Sequence, residues 1–185
     1  MHTYGLANCN FNPTTLATFV ESVRWAEAEV EAIAIGANPI TSEGGATLLE
    51  TIKTSKLKAI DIGKPLPLQE PYESDTLDLS NVGMDPGHVL LLSWWLTTEF
   101  SAALNSLTVD STGDKYNAKT YTLTAGEDKI DLGNKNLGPA DINLISVWLA
   151  TDAGAAVNLL TLDSTGNMRD RKTYTPVSYT HLTLP

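Results

Sequence analysis

The 185-residue sequence predicts an α/β fold in which short strands and helices alternate, a parallel sheet on one side and helices on the other. Three observations carry this expectation. The chain repeats itself: Leu77-Asp78-Leu79-Ser80-Asn81, Trp95-Leu96 and Leu107-Thr108-Val109-Asp110-Ser111-Thr112-Gly113 return 53 residues later. There they read Ile130-Asp131-Leu132-Gly133-Asn134, Trp148-Leu149 and Leu160-Thr161-Leu162-Asp163-Ser164-Thr165-Gly166. Apolar residues alternate in short runs such as Ile33-x-Ile35 and Leu77-x-Leu79, the period of a strand with one buried face. Behind most of these runs the apolar spacing lengthens to that of a helix. A fixed period predicts stacked units, which make binding surfaces more often than catalytic pockets.

The elements follow in order. Met1, Tyr4, Leu6, Cys9 and Phe11 share one spacing with Val30, Ile33, Ile35, Asn38 and Ile40. Leu57, Ile60 and Ile62 begin the same spacing, with Pro65 where the Asn would fall. Between the first two runs, Thr14 or Thr15 is expected to start a helix carrying Leu16, Phe19, Val20, Val23 and Trp25. Thr41 or Ser42 can cap a second, with Ala46, Leu48, Leu49 and Ile52 on its apolar side. Pro65, Pro67 and Pro71 then leave no room for a helix in 64–72. In the tandem copies the strands are Leu77/Leu79, Leu107/Val109, Ile130/Leu132 and Leu160/Leu162. Asp85-Pro86 opens a helix through Val89, Leu92, Trp95 and Leu96, and Pro139 opens its counterpart through Ile142, Ile145, Trp148 and Leu149. The stretch 114–128 lacks a helical period, and Tyr121-Thr122-Leu123 reads as extended.

This strand spacing resembles the leucine-rich repeat, in its ribonuclease-inhibitor-like class, where each unit pairs a strand with a full helix. The steps from Met1 to Val30 and from Val30 to Leu57, 29 and 27 residues, suit that class. The resemblance implies a curved leucine-rich-repeat solenoid with a parallel sheet inside and helices outside. It implies that Cys9 and Asn38 are ladder residues, bonding buried backbone at the bend after each strand. It also implies non-catalytic recognition of a protein partner, or scaffolding, through a concave face formed by Ala34, Asp61, Asp78, Thr108, Asp131 and Thr161. Val82, Thr112, Lys135 and Thr165 depart from the pattern at the Asn position. The alternative is an accessory repeat module of a larger enzyme, such as a hydrolase. Residues 1–175 are expected to form one domain. The last ten, 176–185, abandon the pattern and read as a non-native tail.

Composition narrows the function classes. Apolar residues make up 42% and charged residues 18% of the chain, as expected of an ordered protein. The net charge of −10 argues against nucleic acid and anionic membranes and favours a basic protein partner. With Cys9 alone, no intrachain disulfide and no cysteine-based zinc cluster can form. No run is long enough to span a bilayer and no basic–apolar leader opens the chain, so a cytoplasmic location is expected.

Candidate chemistry is sparse. His2, His88 and His181 lack a nucleophile or acid at a motif spacing, so no Ser-His-Asp arrangement is expected. Asp110-Ser111-Thr112-Gly113 and Asp163-Ser164-Thr165-Gly166 superficially match aspartic-protease signatures. That chemistry needs carboxylates about 3 Å apart, whereas two stacked strands would hold them about 10 Å apart. A turn with Gly supplying positive φ is the preferred reading. Gly44-Gly45 lacks Walker spacing, and Asp61, Asp78, Glu127, Asp128 and Asp131 lack EF-hand spacing. No catalytic residue, metal or cofactor is expected.

Overall fold

In the computed structural model, which describes residues 2–163 and 173–174, strands and helices alternate but the strands do not share one sheet. The first sheet holds β1 (Thr3–Gly5), β2 (Ala32–Ala34), β3 (Ala59–Asp61) and β4 (Pro65–Pro67) in that order. Helices α1 (Pro13–Ser22) and α2 (Thr41–Thr54) make its parallel crossovers, and β4 turns back antiparallel to β3. The second sheet holds β5 (Thr76–Leu79), β6 (Ser106–Asp110) and β7 (Thr120–Thr124), with α3 (Pro86–Trp95) between β5 and β6. The third repeats that order with β8 (Lys129–Leu132), α4 (Pro139–Leu149), β9 (Leu159–Asp163) and β10 (Thr173–Tyr174). Both are a parallel pair closed by an antiparallel strand.

The expected leucine-rich-repeat solenoid is therefore corrected to a mixed α/β domain with three small sheets. Stacking into one array needs each parallel strand to pair with the next unit's strand. Here the return strands β4 and β7 take that edge first. At β4 the reason is chemical, because Pro65 and Pro67 have no N–H with which to extend a ladder. At β7 it is pairing, since Thr120–Thr124 match Asp110 through Ser106 over five residues. The tandem sequence copies yield two blocks with the same order of elements, not a continuous curved sheet with a concave inner face.

Alternation decides which residues enter the core. In β5 and β8 the exposed and buried positions alternate, sending Leu77, Leu79, Ile130 and Leu132 inward. They meet Leu48 and Ile52 of α2, Leu92 and Trp95 of α3, and Leu144, Ile145 and Trp148 of α4 in one cluster. The helices pack in series, α1 on α2, α2 on α3 and α3 on α4. Gly45 and Gly87 permit the α2–α3 approach, since a Cβ at Gly45 would stand 2.7 Å from Gly87 O.

Caps set the helix starts. Asn12, not Thr14 or Thr15, caps α1, accepting from Thr15 N at 3.0 Å while Thr15 Oγ1 accepts from Asn12 N. Val23 and Trp25 thus fall beyond its end. Neither Thr41 nor Ser42 is the N-cap of α2: Ile40 stands there and makes no side-chain bond, and Thr41 is the first helical residue. Asp85 caps α3 as its sequence predicts. Among the described residues, no helix is long and apolar enough to cross a membrane. The readings of Met1, Ser164-Thr165-Gly166, His181 and the tail 176–185 lie outside the described residues.

Candidate functional site

The six residues expected to share one concave row fall into three cross-strand pairs, one per sheet. Ala34 pairs with Asp61, Asp78 with Thr108, and Asp131 with Thr161. All face away from the core: Asp78 and Asp131 are exposed and the other four are half-buried. Thr122 completes the middle group, opposite Thr108, with the two hydroxyl oxygens 2.9 Å apart. Its extended setting was legible in the sequence, but its partner strand was not.

The three aspartates share one local geometry. Asp61 Oδ1 accepts from Gly63 N at 2.8 Å, Asp78 Oδ1 from Ser80 N at 2.9 Å, and Asp131 Oδ1 from Gly133 N at 2.9 Å. Each carboxylate thus turns the chain leaving its strand. Bonds from Ser80 hold the Asp78 carboxyl below the usual carboxylate range, with Lys64 adding attraction.

Asp110 and Asp163, the signature aspartates, clamp turns. Asp110 accepts from Asn81 N at 2.6 Å and from Thr120 Oγ1 at 2.6 Å, and Asp163 accepts from Asn134 N. Asn81 and Asn134 both have φ of +58°, so positive φ belongs to these asparagines and not to Gly113. Gly113 serves a close approach instead, because a Cβ there would collide with Asn136 O. Among the described residues no three His, Cys, Asp or Glu converge as metal ligands.

Of the two residues expected to bond backbone at the bends, Asn38 makes such bonds through its side chain, whereas the Cys9 side chain is exposed. Buried Asn38 accepts from Cys9 N and Phe11 N at 3.0 and 2.9 Å, and donates to Leu6 O and Ile35 O at 2.7 and 2.8 Å. Cys9 is exposed, and its thiol reaches Ala7 O at 3.5 Å. Cys9 meets Asn38 through its backbone N–H and not through its side chain.

Later junctions replace Asn38 with acids. Asp85 Oδ2 accepts from Thr41 N at 2.7 Å, and its Oδ1 accepts from Gly87 N at 2.9 Å and His88 N at 3.2 Å. His88 is fully buried; its Nε2 lies 3.2 Å from Ile35 O, which can only accept, so Nε2 carries a proton. Fifty-three residues on, Gly138 replaces Asp85 and Asp141 replaces His88. Asp141 accepts from Thr112 N, Thr112 Oγ1, Gly138 N and Tyr121 OH at 2.8, 2.9, 2.7 and 3.1 Å. Burial lifts its carboxyl above the usual range against the pull of those donors. Burial, with the neighbouring Asp141 charge, also raises the Tyr121 phenol. Sequence reasoning missed this centre, whose signal is the acid displaced from the cap to the third helical position.

Asp85 has the opposite shift. Burial pushes its carboxyl up, but the bonds and charge of His88 and the N–H of Thr41 outweigh burial, and the net direction is down. A depressed folded pKa adds stability above the unfolded value, about 3.9, which is lost as pH falls through the folded value. Acid titrations of Asp85→Asn should therefore lose less stability below pH ~4 than those of the wild type. Parallel acid slopes in urea-melt series would contradict this assignment.

Comparison with protein-family models, with curated proteins and with solved structures finds no match. The leucine-rich-repeat family expected from the strand spacing is thus corrected on two grounds: the continuous sheet is missing and no family model matches.

Proposed function

We propose that this domain recognises a protein partner through the outward faces of its strands and performs no catalysis of its own. The observation that carries this reading is the alternating burial of β5 and β8. Each sends its apolar residues into the core and leaves Asp78 or Asp131 in solvent. Ala34, Asp61, Thr108 and Thr161 extend the surface on neighbouring strands. Short side chains on strands lose little entropy on contact, which suits a flat, preorganised binding surface. A basic partner fits the three aspartates and the net charge of −10.

Replacing Asp61, Asp78 and Asp131 together with Asn tests the reading. Asn keeps the Oδ1 oxygen that each turn uses, so stability should change by less than about 0.5 kcal/mol per site. Capture of basic partners from a cell extract should fall, and wild-type association should slow as salt rises. Recovery of the same partners at the same yield by the triple variant would refute the proposal.

A further inference from the structure

The first sheet ends on two unlike edges. At one, β4 carries Pro65 and Pro67, which have no N–H to offer a further strand. At the other, β1 has neither a proline nor a charged side chain between Thr3 and Gly5. His2 O accepts from Ala32 N at 3.3 Å and Leu6 N donates to Ala34 O at 2.8 Å, so the backbone at these residues faces β2. Backbone groups of successive strand residues point to opposite sides, which turns the N–H and C=O of Thr3 and Gly5 outward. All of β1 is exposed, and a Cβ at Gly5 would meet no atom within 4 Å. Edge strands of the other sheets carry charges that discourage further pairing. Lys135 Nζ donates to Thr120 O on β7 at 3.0 Å, β5 presents Asp78, and β8 presents Lys129 and Asp131.

An apolar row runs to the open edge. Leu66, Ile60, Ile33 and Tyr4 are cross-strand partners in turn; the first three are buried, whereas Tyr4 is 37% exposed. The Tyr4 ring stands edge-on to Phe19 and Trp25, with centroids 5.5 and 6.4 Å away. Beside it lies an open groove of about 360 Å³, lined in part by Tyr4, Ala28, Glu29 and Val30. The rim is acidic. Glu27, Glu29 and Glu31 alternate along the segment that leads into β2. Arg24 pairs with Glu27 and Lys58 with Glu31, but Glu29 makes no ion pair among the described residues.

We propose that β1 receives an extended basic segment of a partner protein as an added strand. The segment's backbone pairs with Thr3 and Gly5, an apolar side chain continues the row past Tyr4, and a lysine or arginine meets Glu29. A second copy of the chain fits poorly, since it brings another net charge of −10 to an acidic rim. The edge is distinct from the outward strand faces, and pairing there does not depend on Asp61, Asp78 or Asp131.

The test titrates the full chain with a short peptide alternating Lys and Val, blocked at both ends. The Thr3 and Gly5 amides are followed in ¹H–¹⁵N spectra. Both signals should shift saturably, and their hydrogen exchange should slow in the complex. Two further peptides, methylated on one or the other alternate set of backbone nitrogens, leave the protein unaltered. Only one set faces β1, so one peptide should bind about 10-fold more weakly than the other, the worth of one or two hydrogen bonds. Thr3→Pro, which deletes an outward N–H, should also weaken binding of the parent peptide. A peptide alternating Glu and Val should not bind. The triple Asn variant at Asp61, Asp78 and Asp131 should bind as the wild type does, which separates this result from that of the strand-face test. Unshifted amides, equal binding of the two methylated peptides, or loss of binding by the triple variant would overturn the proposal. So would a free chain that sediments as a dimer with the Thr3 and Gly5 amides protected.

Discussion

Asp141→Ala should destabilise the domain by about 3–5 kcal/mol in a urea titration, more than an ordinary polar substitution. The carboxylate is the shared acceptor for Thr112 N, Thr112 Oγ1, Gly138 N and Tyr121 OH, and it is fully buried. Removing it leaves several donors without a partner, each costing about 1–3 kcal/mol when shielded from water. Asp141→Asn keeps one acceptor oxygen and turns an amide N–H₂ toward donors, so its loss should be intermediate. Tyr121→Phe removes only one of the four bonds and should cost about 1 kcal/mol. If alanine and phenylalanine variants lose equal stability, Asp141 is not the hub that its geometry indicates.

The second large effect concerns the strand faces. Leu132 and Leu79 occupy matching positions in the two blocks, and both are buried. Leu132→Ala should cost about 2–5 kcal/mol, from lost apolar burial and the cavity left behind. Its neighbour Asp131 points outward and uses one oxygen on the Gly133 turn. Asp131→Asn preserves that oxygen and should cost less than about 0.5 kcal/mol. Similar losses from both would mean that the strand presents its other face to the core.

Much of the local structure was legible because it depends on neighbours in sequence. Leu77-x-Leu79 and Ile130-x-Leu132 announced strands, and Asp85-Pro86 announced a capped helix. Sheet continuity was not legible, because strand pairing is decided by competition among edges distant in sequence. Pro65 and Pro67 could be read as a break, but not as an antiparallel strand on β3. Tyr121-Thr122-Leu123 could be read as extended, but not as the strand that closes β6. The same limit applies to the site. Alternation placed Asp61, Asp78 and Asp131 outward, yet it could not separate one row from three pairs. Cys9 shared its spacing with Asn38, but a thiol accepts backbone N–H bonds poorly where an amide does well.

The division into three sheets has a consequence for how the protein opens. No strand ladder crosses from one sheet to the next among the described residues. Fraying of one sheet therefore breaks no ladder bond in its neighbour, and cooperation between blocks depends on the bonds that Asp85 and Asp141 make across the junctions and on side chains packed across α2, α3 and α4. Dispersion contacts of that kind weaken within a fraction of an ångström of separation, whereas strand pairing propagates residue by residue. Native-state hydrogen exchange should accordingly resolve sub-global openings whose limits fall near residues 68–75 and 125–128. These two connectors would then mark the seams along which the molecule breathes.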